Sequence, residues 1–191
     1  RPHIVYQTPS SSSSTLTHAW FDGTAWKTEA VLTLPTTYGS LDGSFGLDRT
    51  GQPHILQTTG SGGNIADLVY LHQVGGVWVK ENLEPAGSWD PYLGSSRLFL
   101  DPSDTPHVLI PTFFDTREFS RNADGTWSSQ ILTNTASNGG GYYFEDGVWA
   151  DADTAWVFYQ VLDTTLLEDA FWVVQKVKGI WQPPPRLKPV P

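Results

Sequence analysis

The sequence predicts an all-β protein, a β-propeller of about four four-stranded antiparallel blades. Three features of its 191 residues carry that expectation. A Pro-His phrase followed by aliphatic residues starts at Pro2, returns at Pro53 and Pro106, and has a degraded fourth copy at Thr154-Ala155-Trp156-Val157. Trp26, Trp78, Trp127 and Trp181 keep the same beat, each after a turn of small residues. Leu47-Asp48, Leu100-Asp101 and Ala150-Asp151 are a third marker in phase with the other two. The repeat is roughly 50 residues long, the size of one propeller blade.

The elements follow from the repeat. In the second unit the apolar runs are Ser44–Leu47, His54–Thr58, Leu68–Gln73 and Trp78–Asn82, bounded by Gly, Pro, Asp and Asn. Short runs so bounded read as strands. We label them A to D: A ends at the Asp marker, B opens on Pro-His, and D opens on Trp. No stretch holds a sustained helical period. The blades fall at about 1–43, 44–94, 95–147 and 148–182, and a Pro-rich tail at 183–191 reads as a linker. The first blade starts on its B strand, so three strands are expected there. The ring either closes imperfectly with four blades or belongs to a larger ring of five to seven, which a missing segment or an oligomer would complete. The chain has no Met, even at position 1, and reads as a processed or excised segment.

An Asp, a short turn, Pro-His and then a Trp strand resemble the blades of bacterial secreted β-propeller repeat proteins of the sialidase-like (BNR-like) type. The resemblance spans the whole chain and implies architecture and a secreted or cell-surface setting. It implies no catalytic set. In Asn122-Ala123-Asp124-Gly125-Thr126-Trp127 the Asp and Gly are adjacent, unlike the sialidase Asp box.

Composition narrows the partners. Nine Trp and eighteen Gly, with 16% charged residues, suit many short strands and tight turns. A net charge of −9 disfavours nucleic acid and anionic membrane surfaces. The absence of Cys excludes disulfides and thiolate metal sites. No apolar run approaches the roughly 20 residues of a membrane span.

The blade pattern puts the A–B and C–D turns on one face and the B–C and D–A loops on the other. The D–A loops, expected at Pro35–Gly43, Glu84–Gly94 and Thr133–Gly147, each place aromatics beside acids. The candidate ligand-binding residues are Tyr38, Asp42, Trp89, Asp90, Tyr92, Tyr142, Tyr143, Glu145 and Asp146. An aromatic ring stacks on a sugar's C–H face while a carboxylate accepts its hydroxyls. The leading reading is a non-catalytic module that binds glycan or protein. The alternatives are a glycan-active hydrolase or lyase of propeller type, and a structural repeat of an extracellular assembly. No nucleophile elbow, HExxH or phosphate-cradling loop points to catalysis, and no catalytic residue is assigned.

His3, His54 and His107 recur at one blade position and are expected to pack, each bonded to the neighbouring blade, and not to gather on a metal. The marker aspartates are expected to cap turns. No cofactor is expected, although Asp101-Pro102-Ser103-Asp104 and Asp151-Ala152-Asp153 offer oxygens to a Ca²⁺ ion. Ser10–Ser14 reads as a flexible loop.

Overall fold

A computed structural model describes residues 1–35, 43–61, 64–84, 96–111, 115–134, 142–163 and 168–182. The chain divides into two compact units, Arg1–Ser88 and Trp89–Pro191. Every described element is a strand, and each strand pairs antiparallel with its sequence neighbour in the same sheet. The chain is an all-β protein of β-propeller type, built from four blade-like sheets.

The first unit holds two sheets. One is β1 (His3–Pro9), β2 (Ser13–Phe21) and β3 (Trp26–Pro35), the three-stranded first blade that the sequence predicts. The other is β4 (Gly43–Leu47), β5 (Pro53–Ser61), β6 (Asn64–Val74) and β7 (Val77–Glu84). Between the two sheets Leu16, Ile55, Val69 and Leu71 form a buried core cluster, with Val5, Val31, Leu32, Phe45 and Trp78 packed against them.

The second unit repeats the plan. Its sheets are β8 (Arg97–Leu100), β9 (Pro106–Pro111), β10 (Asp115–Arg121) and β11 (Trp127–Asn134), then β12 (Tyr142–Asp151), β13 (Thr154–Asp163), β14 (Glu168–Val177) and β15 (Ile180–Trp181). Its core is Leu109, Leu132, Trp149, Ala155, Val157, Val174 and Trp181, with Phe99 against it.

Tight turns make the meanders. Gly75 and Gly76 join β6 to β7 with φ of 59° and 80°. Two consecutive positive φ values give a hairpin whose twist matches its strands, and glycine takes them without strain. Lys178-Gly179 does the same between β14 and β15, with φ of 51° and 77°.

Two expectations change. Residues 142–147, expected in a loop, belong to β12: Tyr142–Phe144 pair with Val161–Tyr159, and the ladder continues past a bulge to Asp151. The aromatic run Tyr142-Tyr143-Phe144 favours a strand, and pairing with β13 outweighs the glycines before it. Ser10–Ser14 is a tight turn entering β2, not an open loop. The Ser10 N–H donates to the Ser13 carbonyl at 2.7 Å, and Ser14 is buried against Gln7.

Candidate functional site

The repeated Asp and His act together. Asp48 ends the A strand, and its Oδ1 accepts from the Thr50 and Gln52 N–H groups and the Thr50 hydroxyl, each at 2.8 Å. Burial opposes ionisation of Asp48, but these donors prevail and hold its carboxyl below the ordinary range. Its Oδ2 faces His54 Nε2 at 3.7 Å. Asp101 repeats the device: Oδ1 accepts from Ser103 and Thr105, and Oδ2 faces His107 Nε2 at 3.6 Å. Asp151 Oδ1 accepts from the Asp153 N–H at 2.9 Å. The marker aspartates therefore cap their turns, as expected. Asp101 spends its carboxylate inward, and among the described residues no three His, Asp or Glu side chains are grouped to hold a metal.

Each repeated His bonds to its own sheet. His3 Nδ1 lies 2.9 Å from His18 Nε2, His54 Nδ1 lies 2.5 Å from the Tyr70 hydroxyl, and His107 Nδ1 lies 2.8 Å from Glu118 Oε1. These Nδ1 contacts stay within the sheet, where a bond to the neighbouring blade was expected. The C strand lies next to the B strand, and a residue two positions along it meets the imidazole diagonally. The link between sheets is made by that partner or by an acid beyond it. In the first unit, His18 Nδ1 pairs with Glu29 Oε1 at 3.0 Å, and the Gln73 amide of the next sheet donates to the same oxygen at 2.7 Å. In the second unit, Glu118 itself takes Lys176 at 3.0 Å and the Trp181 indole N–H at 2.7 Å, both from the next sheet.

The two sheets of the first unit leave a groove of about 720 Å³ between them. Its walls include Arg1, His3, Trp20, Glu29, the turn from Leu47 to Pro53, and Gln73. The His18 ring forms its buried floor, stacked between His3 at 5.1 Å and Trp20 at 5.2 Å, with Trp78 edge-on at 6.0 Å. Burial, the adjacent His18, the N-terminal amino group and the Arg1 charge lower the His3 pKa below its usual value. The groove thus combines a half-buried indole, carboxylates, an amide, guanidinium groups and a neutral imidazole. That set can stack on an apolar ring face and both donate and accept hydrogen bonds.

The groove lies on the A–B and C–D turn side, opposite the side where the sequence places the candidates. Tyr38, Asp42, Trp89, Asp90 and Tyr92 fall outside the described residues. Tyr142, Tyr143 and Glu145 lie on β12, with their side chains outside the described set. Asp146 is exposed there, and its carboxylate accepts from the Gly147 N–H at 2.7 Å. Sequence reasoning missed His18, Trp20, Glu29 and Gln73. The available signal was a break in the repeat: the first blade carries His18-Ala19-Trp20 where the second has Tyr70-Leu71-His72 and the third Glu118-Phe119-Ser120.

No protein-family signature matches the sequence, and no curated protein is similar to it. Among solved structures, the chain is similar to a fucose lectin from Kordia zhangzhouensis in complex with methyl-fucoside, at 15% identity and a TM-score of 0.45. That match covers 73% of this chain and 95% of the lectin. It is also similar to a bifunctional GH43-CE protein of Bacteroides eggerthii, at 11% identity and a TM-score of 0.46, over 93% of this chain and 25% of that one.

Proposed function

We propose that this chain is a non-catalytic glycan-binding module and that the groove of the first unit is its binding site. One observation carries the reading: Trp20 stands in a groove whose lining also includes the polar residues Glu29, Asp48, Arg49 and Gln73. A sugar needs a flat apolar platform for its C–H face and polar groups at the side for its hydroxyls. The groove volume lies within the usual span of small-ligand sites, about 300–1,000 Å³. The residues on the long-loop side, from Tyr38 to Asp146, are proposed as additional contacts of a multivalent binder. The reading places the module outside the cell, where glycans are displayed.

The test is a panel of methyl glycosides followed by saturation-transfer NMR and calorimetry. Trp20→Ala is expected to weaken any binding about tenfold, since loss of about 1.4 kcal/mol corresponds to that factor. Trp26→Ala, at an indole 50% exposed and outside the groove, should leave it unchanged. Equal affinity in parent and Trp20→Ala would remove the groove as the site.

A further inference from the structure

Glu29, His18 and His3 form a line that ends in the groove. Glu29 Oε1 lies 3.0 Å from His18 Nδ1, and His18 Nε2 lies 2.9 Å from His3 Nδ1. A carboxylate oxygen only accepts, so His18 carries its proton on Nδ1. In the neutral ring its Nε2 is then bare and accepts. His3 must therefore carry its proton on Nδ1 and donate it to His18. Its own Nε2 is left with a lone pair. The Gln73 amide, donating to Glu29 Oε1 at 2.7 Å, holds the carboxylate at the head of the line. This is the way a group beyond a histidine fixes its tautomer.

We propose that this relay makes His3 Nε2 the acceptor for a sugar hydroxyl in the groove. The proposal rests on the glycan reading of the groove and adds its polarity. The ligand must present an O–H to His3, and a carboxylate or carbonyl oxygen at that point is rejected.

Burial first, then the neighbouring His18, the N-terminal amino group and Arg1, oppose a second proton on His3, which keeps the lone pair on Nε2.

Two measurements test the proposal, and they fail separately. Long-range ¹⁵N–¹H NMR of the histidines near about pH 7.5 reads the tautomer without any ligand; the expected form of His3 is Nδ1–H. A proton on Nε2 there overturns the relay. Methyl α-fucoside, methyl β-galactoside and methyl α-mannoside are then titrated at about pH 7.5. In His3→Phe, which keeps a ring but no acceptor, binding is expected to weaken about tenfold. In Glu29→Leu the His3 tautomers mix and affinity falls with Trp20 intact. Equal affinity in the parent and in His3→Phe overturns the acceptor role. If none of the three glycosides binds while His3 shows the Nδ1–H form, the glycan reading falls and takes the ligand half of the proposal with it, but the relay stands.

Discussion

At Glu118 a single buried carboxylate collects four donors. His107 Nδ1 and Lys176 Nζ meet Oε1 at 2.8 and 3.0 Å, and the Gln130 amide and Trp181 indole meet Oε2 at 2.6 and 2.7 Å. Burial pushes the Glu118 pKa up, but the His107 hydrogen bond and the Lys176 charge prevail and bring it down to about 2. The lowered value fixes the sign of the pH effect. The contribution is complete above the ordinary value near 4.5 and is lost as pH falls through about 2. The interval corresponds to about 3 kcal/mol. Urea unfolding across that range should show the loss in the parent and a flatter profile in Glu118→Gln. At neutral pH, Glu118→Gln leaves the Lys176 cation buried without its counter-charge and should cost about 3–5 kcal/mol. Adding Lys176→Met should restore much of that, because the stranded charge is then gone. A double variant no better than the single one would show that the hydrogen bonds, and not the charge pair, carry the stability.

The A–B turn is the element that explains the repeat. Its aspartate caps the turn with one oxygen and faces the Pro-His imidazole with the other, so Asp and His recur together. The fourth residue of the turn takes a left-handed conformation, Gly51 with φ 83° and Asp104 with φ 64°. A Cβ at Gly51 meets nothing within 4 Å, so only backbone strain opposes a side chain there. Gly51→Ala should therefore cost about 1–2 kcal/mol. Gly51→Asn should cost less, because Asn tolerates that region. Equal loss for both, measured by thermal unfolding, would point to a steric origin. This element was legible in the sequence because the second and third copies use the same turn. The histidine's partner was not legible. The position it bonds to is His18, Tyr70 and then Glu118, and a group that changes from copy to copy leaves no periodic mark.

Across the molecule, the two units apply one plan to different ends. The paired positions are His3 with His107, His18 with Glu118, Glu29 with Gln130, Gln73 with Lys176 and Trp78 with Trp181, as strand register shows. In the second unit the acid sits on the C strand and takes the tryptophan N–H. In the first it has moved to the D strand, and the buried Trp78 Nε1 has no hydrogen-bond partner among the described residues. The residue before the turn differs too. Leu47 pairs with Pro53 and is 37% exposed on the groove wall. Its counterpart Trp149 pairs with Ala155, is buried, and stacks on His107 at 5.0 Å. A tryptophan thus covers the repeated histidine in one unit and leucine leaves it open in the other. The period made the blades legible, but the groove comes from the places where the first copy breaks the pattern, which periodicity averages away. Leu47→Trp should therefore close the groove, with the new indole lying on His3 as Trp149 lies on His107. The expected result is a folded protein with melting temperature at or slightly above the parent's, since the site is open and receives an apolar surface without a clash. Methyl glycoside binding should fall more than tenfold, and His3 ring protons should shift upfield under the indole. Retained binding with the His3 shift present would mean that the groove is filled and that sugar is held elsewhere, on the long-loop side.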